Sequence, residues 1–170
     1  EAGNNFSWHL IGTLQPRKAK YLPHRIAMIH SIDRLKAAQK LDSVFSEEQL
    51  PLPGFLQVNL SGEETKSGWN LTGGKPDHQF LSEVENMLAL KNLNIKGLMT
   101  MPPYSSNSES SRRYYVQLRK LAERLNHHFQ KDIFTDFSIG TSFDYEVAIQ
   151  EGATYVRIGE AILGPREQHV

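Results

Sequence analysis

Six short apolar runs dominate this sequence, at residues 8–12, 27–32, 54–60, 95–100, 136–140 and 155–159, each of strand length and most of them continuous rather than alternating with polar residues. A strand that is apolar on successive positions must be covered on both faces, whereas a half-exposed strand alternates. Between several of the runs lie stretches with helical spacing. "DRLKAAQKLDSVF" sets Leu35, Ala38, Leu41 and Phe45 on one face, with Ser31 or Asp33 as N-cap. "DHQFLSEVENMLAL" does the same with Leu81, Val84 and Leu88 behind an Asp77 cap, and "SSRRYYVQLRKLAERLNHHF" with Tyr115, Leu118, Leu121 and Leu125. "SFDYEVAIQEG" reads as a short helix capped by Ser142 and stopped at Gly152. Buried strands separated by helices predict a parallel sheet sheathed in helices.

Composition narrows the class of function. With 170 residues, of which 39% are hydrophobic, the chain suits a single domain with a buried core. Its formal net charge is zero and the charges are interspersed, which argues against nucleic acid or anionic lipid as a partner. No apolar run approaches the roughly 20 residues that cross a bilayer. The lack of cysteine excludes disulfides, thiolate metal sites and a cysteine nucleophile. The histidines nowhere adopt zinc-ligand spacing, and no G-x-S-x-G, Walker or dinucleotide fingerprint is present. The chain opens on Glu1 and reaches a strand candidate almost at once, which reads as a piece of a longer chain.

The most informative segment is "DFSIGTSFDYEVAIQEGATYVRIGEAILG", residues 136–164. Two apolar runs in it end in glycine where a helix starts, and the second carries Arg157. Helix starts expose N–H groups, and glycine lets an anion approach the backbone. In barrels of alternating strands and helices a phosphate often sits in the loops after the last two strands. Either junction alone is explained by tight turns, a Ser142 cap and an Arg157–Asp144 ion pair. The two together favour a phosphate pocket.

The other candidates carry less. Asn59, at the end of "QVN", suits either a site at the strand ends or a turn in its own loop. Lys66 reads as solvated, and His9 and His30 as hydrogen-bonded core histidines. The long segments "LSGEETKSGWNLTGGKPD" and "MPPYSSNSESS" both follow strand C-termini, where parallel folds place ligands, and the Ser/Asn tract in the second reads as mobile.

Five segments carry a family resemblance: "WHLIGTLQPRKAKYL", "IHSIDRLKAAQKL", "QVNLSGEETKSG", "GLMTMPP" and "FSIGTSFDYEVAIQEGATYVRIGEAILGPR". In order and spacing they resemble the YggS/PROSC-type pyridoxal phosphate homeostasis proteins over nearly the whole chain. The resemblance implies a TIM-type (β/α)8 barrel of the alanine racemase N-terminal-domain type, with 1–170 as a single domain forming its C-terminal three-quarters. It also implies pyridoxal 5′-phosphate as the cofactor and a non-catalytic part in intracellular homeostasis of that cofactor, by buffering and delivery. The implied partners are the cofactor and pyridoxal phosphate-dependent apoenzymes, with no nucleic acid and no membrane. The implied location is cytoplasmic, and the implied state a monomer when complete. A racemase-like or other phosphate-binding barrel enzyme is the alternative.

Carried onto this chain, the resemblance assigns the phosphate to Thr141, Ser142, Ile158 and Gly159, makes Arg157 a cofactor-site cation, and sets Asn59 facing the ring. Lys66 corresponds to a lysine of the family's "KSG" loop, a secondary contact for the aldehyde. Three departures stand out. The family's Schiff-base lysine, in a first-strand segment resembling "VSKTKP", and the next strand with its "GEN" motif would precede Glu1. About six of the eight strand–helix units are then expected, with two open edges that favour aggregation or partial disorder of residues 1–170 alone. Glu160 stands where the family often has a small hydroxyl residue, and Thr13 where it commonly has histidine.

Overall fold

A computed structural model describes residues 6–46 and 50–165. Among them, six strands run in the order β1 (His9–Leu10), β2 (Met28–Ile32), β3 (Leu52–Asn59), β5 (Leu93–Met99), β6 (Asp136–Thr141) and β7 (Tyr155–Arg157). Every neighbouring pair is parallel. Apart from β4 (Trp69–Asn70), which pairs beside the end of β3, spatial order equals chain order. A sheet laid down in chain order with helical returns on one side is an arc of a (β/α) barrel.

The helices are α1 (Leu35–Val44), α2 (His78–Leu88), α3 (Arg112–Phe129), α4 (Tyr145–Gln150) and α5 (Glu160–Leu163). The apolar spacing of α3 is reproduced directly: Tyr115, Leu118, Leu121 and Leu125 are all fully buried against the sheet. In α2 the most buried stripe is Phe80, Val84 and Met87, one position off the expected Leu81–Val84–Leu88. Leu81 and Leu88 flank it, half-buried. The Asp77 carboxylate accepts the Phe80 N–H at 2.7 Å and caps α2 as its type predicts.

Two expected caps are not made. At α1 the N-cap position is Arg34, with no side-chain capping bond. Ser31 instead donates to the Gly12 carbonyl at 2.6 Å, tying β2 to the loop after β1, while Asp33 pairs with Arg34. Nor does Ser142 cap α4, whose N-cap position is Asp144. The expected stop at Gly152 is present, with φ +88°, in the left-handed region that glycine enters without strain. Both long segments are also more structured than anticipated. The first holds β4 and a 3-10 turn at Thr72–Gly74, and the second a 3-10 turn at Ser108–Ser111 capped by Asn107.

Two separate apolar layers result. The large one lies between the sheet and its helices and includes Ile29, Leu56, Val84, Leu98, Leu118 and Ile139. The small one, Met28, Phe55 and Met99 with Tyr155 against them, lies on the other side of the sheet, inside the arc. Gly97 permits β5 and β6 to close up, since a Cβ there would lie 1.8 Å from the Asp136 carbonyl oxygen. At Gly140, with φ +87°, a Cβ would meet that of Ala148 at 2.6 Å, so glycine lets α4 seat against the end of β6.

Candidate cofactor site

The C-terminal ends of β6 and β7 meet, because Thr141 and Arg157 are register partners. The turn after β6 leads into α4 and the turn after β7 into α5, and a single side chain joins them. Ser142 Oγ accepts the N–H of Gly159 at 3.0 Å and that of Ala161 at 3.1 Å. The serine that sequence spacing assigns to its own helix thus caps the next one. Its hydroxyl proton stays available, and two polarising N–H donors make it a stronger donor toward an anion.

A pocket of about 520 Å³ opens here, lined by Tyr104, Thr141, Ser142, Phe143, Arg157 and Gly159 together with Glu160, Leu163 and Gly164. Of the residues named from sequence, Thr141, Ser142, Arg157 and Gly159 line it. Ile158 lies between two lining residues without lining the pocket itself. Asn59 is turned to its own loop, its Oδ1 accepting from the Ser61 N–H, the Ser61 hydroxyl and the Gly62 N–H. Its Nδ2 donates to the Glu63 carbonyl at 2.8 Å. Of its two readings, the turn is the one formed. Lys66 is held by Glu63 at 2.9 Å and by the Met101 carbonyl at 3.1 Å, so it spans two loops instead of standing free.

Arg157 is the cation of the pocket, and Asp144 is not its partner. Its Nη1 donates to the Ser138 carbonyl at 2.7 Å and to Ser138 Oγ at 2.8 Å, and its Nη2 to the Thr100 carbonyl at 3.2 Å. Burial lowers the guanidinium pKa, and the nearby Tyr115 and Asp144 act the other way. An arginine stays charged under such a shift. Asp144 has other work. It accepts the Tyr115 hydroxyl at 2.5 Å and both the N–H and the hydroxyl of Thr141, at 2.8 and 2.9 Å. Burial alone would raise its pKa, but bonds from Tyr115, Ser111 and Thr141 hold it below the usual value. Burial, reinforced by Asp144, pushes the Tyr115 phenol well above its ordinary value.

These residues fit a phosphate monoester. Arg157 offers a positive charge without a carboxylate hydrogen-bonded to it among the described residues. Gly159 has an unstrained φ of −124°, and a Cβ added there would meet nothing within 4 Å. The missing side chain leaves the pocket open. Tyr104 and Phe143, with ring centroids 5.6 Å apart, form an aromatic lip. Glu160 is the one discordant group, an exposed carboxylate in the lining. Among the described residues no cluster suited to a metal ion occurs.

The model of the alanine racemase N-terminal domain matches residues 1–167. The pyridoxal phosphate homeostasis protein of Aquifex aeolicus is 38% identical over 163 residues, spanning 96% of this chain and 68% of that protein. The one from Synechocystis is 37% identical over 162 residues, 95% of this chain and 71% of the relative. This chain belongs to the alanine racemase N-terminal domain family, among its pyridoxal phosphate homeostasis proteins. It spans about two thirds of the length of these relatives. PipY of Synechococcus elongatus, solved with PLP bound, superposes with a TM-score of 0.80 at 29% identity, over 94% of this chain and 71% of PipY. Alanine racemase of Clostridium difficile superposes with a TM-score of 0.64 at 14% identity, over 93% of this chain and 41% of the racemase, which shows the shared fold.

His9 and His30 are hydrogen-bonded as their place in apolar runs suggests, but sequence reasoning did not find their connection to Ser138 and Arg157. His30 is 2% exposed, with Nδ1 2.7 Å from Ser138 Oγ and Nε2 3.0 Å from His9 Nδ1. The available signal was Ser138, a hydroxyl inside an otherwise apolar strand run.

Proposed function

We propose that this chain binds pyridoxal 5′-phosphate in the pocket at the ends of β6 and β7 and serves its homeostasis as a non-catalytic carrier that buffers the cofactor and delivers it to apoenzymes. One observation carries the reading: PipY, a relative of the same fold, was solved with PLP bound, and the C-terminal end of this arc presents a half-buried arginine, a polarised serine hydroxyl and a side-chain-free glycine turn. Thr141, Ser142 and Gly159 hold the phosphate end, with the backbone at Ile158 closing the turn, and Arg157 is the cation of the cofactor site. Asn59 contributes by fixing the 61–63 loop. The aromatic lip of Tyr104 and Phe143 shields the ring from water. The cofactor supplies a reactive aldehyde that condenses with amines. Residues 1–170 constitute the C-terminal three-quarters of the barrel. Among the described residues no helix is long and apolar enough to cross a membrane. On the family reading we place the protein in the cytoplasm.

Titration with PLP and with pyridoxal, followed by absorbance, tests the assignment. The phosphate pocket predicts that PLP binds at least about tenfold more tightly than pyridoxal, because a charge-assisted contact is worth about 1.5–3 kcal/mol. Inorganic phosphate should compete. Equal binding of PLP and pyridoxal would overturn the assignment. So would binding that Arg157→Ala leaves unchanged.

A further inference from the structure

The interior of the arc carries a continuous hydrogen-bonded chain from β1 to β7. His9 Nδ1 lies 3.0 Å from His30 Nε2, His30 Nδ1 lies 2.7 Å from Ser138 Oγ, and Ser138 Oγ accepts from Arg157 Nη1 at 2.8 Å. Ser138 is fully buried and His30 nearly so. Phe55 stacks on His30 with ring centroids 4.8 Å apart, and Tyr155 stands edge-on to it at 5.3 Å.

The chemistry of these groups sets the direction of the chain. A guanidinium can only donate, so Ser138 Oγ must accept from Arg157. A hydroxyl that accepts from a cation donates its own proton more strongly, and the neighbour within reach is His30 Nδ1. His30 then carries its proton on Nε2 and donates to His9 Nδ1. A protonated His30 would place a second donor against Ser138 Oγ and leave the serine proton without that acceptor. The groups facing the imidazole favour the neutral form: His9 from β1 and Arg157 from β7 are basic, and Phe55, Ser138 and Tyr155 carry no charge. Burial, then His9 and Arg157, hold its pKa near about 4.

We propose that His30 is a positioning residue for Arg157: the hydrogen-bonded His9–His30 pair orients the Ser138 hydroxyl, and that hydroxyl fixes the guanidinium against β6. The consequence for binding rests on the cofactor-site reading above. The three bonds from Arg157 go to Ser138 and Thr100. Of the five N–H donors of an arginine, about two remain, on Nε and Nη2, for the pocket that Arg157 lines. Without the serine acceptor the side chain loses one tether and samples other rotamers, which lowers its contribution to any anion held there.

Three variants separate positioning from packing. His30→Asn keeps an acceptor near the Nδ1 position but loses the stack on Phe55. His30→Phe keeps the stack and loses the acceptor. Ser138→Ala removes the hydroxyl alone. The readouts are the NMR signal of the Arg157 guanidinium N–H groups, assigned by its loss in Arg157→Lys, and the affinity for PLP. The expected result is a slowly exchanging signal in the parent and in His30→Asn that broadens away in His30→Phe and Ser138→Ala. PLP affinity should stay within about twofold in His30→Asn and fall about tenfold in the other two, the size of one charge-assisted bond. A signal unchanged in folded His30→Phe and Ser138→Ala would overturn the proposal. Loss of the signal in both with no change in PLP affinity would uphold positioning and remove Arg157 from the cofactor site, so the two ideas fail separately.

Discussion

The two faces of the sheet are built on different physics. The outer face, against α1 to α4, is an apolar layer in which Leu41, Val84, Leu98, Leu118 and Leu121 have no exposed surface. The inner face pairs a small apolar group, Met28, Phe55 and Met99, with a polar chain of His9, His30, Ser138 and Arg157. Stability on the outer face scales with the area withdrawn from water and tolerates exchange of one apolar residue for another of similar size. The inner face depends on donors matching acceptors, where losing one partner costs more than the bond itself contributed. The outer face holds the arc together, and the inner face holds one arginine in place at the mouth of a pocket.

The largest effect expected from this contrast is on the outer face. Leu121→Ala should cost about 3 kcal/mol of unfolding free energy, the usual range for an emptied buried leucine site, as read by denaturant titration. PLP affinity per folded molecule should not change. If affinity fell with stability, the two faces would not be separable. Arg157→Ala is the counterpart on the inner face. It should weaken PLP binding about 30- to 100-fold, because it removes the pocket's half-buried cation. It also leaves Ser138 Oγ and two carbonyl oxygens without their donor. A loss of less than about threefold would mean that the cofactor lies elsewhere.

Acid should unmake the inner face first. His30 has its pKa lowered from 6.5 to about 4 in the folded chain. Between those values the unfolded chain binds a proton at this residue that the folded chain does not. Stability therefore rises with pH across the window and is lost as pH falls through it. The full shift would correspond to more than 3 kcal/mol, and partial relaxation around an imidazole reduces this to about 2 kcal/mol. Thermal denaturation at pH 7 and pH 4.5 on the parent and on His30→Asn measures it. The variant should have a flatter profile, while a parallel decline in both would assign acid sensitivity to other groups.

The sequence made the outer face legible and the inner face opaque for the same reason. An apolar stripe at helical spacing, such as Tyr115–Leu118–Leu121–Leu125, has one physical explanation, burial, and the expected helix appears. A cap such as Asp77 is equally local, because its acceptor and its donor lie three residues apart. Ser142 satisfies the same local rule but bonds to Gly159 and Ala161, contacts created by the pairing of β6 with β7. Arg157 had a plausible local story in Asp144, yet Asp144 is occupied by Tyr115 from α3 and by Thr141. His30 reaches a serine 108 positions away. Side-chain partners at that range follow from register, which spacing along a chain does not encode. The position of the pocket was nevertheless readable, because two glycine-tipped strand ends can lie side by side only if the strands do.

A smaller test concerns the join between the last two loops. Ser142→Ala deletes the acceptor of two N–H groups at the start of α5, a helix of four residues with none buried. Both groups lie where water can replace the serine, so stability should change by about 0.5–1 kcal/mol, no more than a typical cap. If the hydroxyl also donates to the phosphate, PLP affinity should fall about threefold to tenfold while affinity for pyridoxal stays constant. Asp77→Ala removes a cap of similar strength at the start of α2, and Asp77 does not line the pocket. It should cost about 1 kcal/mol of stability with no effect on either ligand. Equal losses of PLP affinity in the two variants would mean that Ser142 acts only by stiffening the fold. A loss confined to Ser142→Ala, and within it to the phosphorylated ligand, would make the serine a direct phosphate donor.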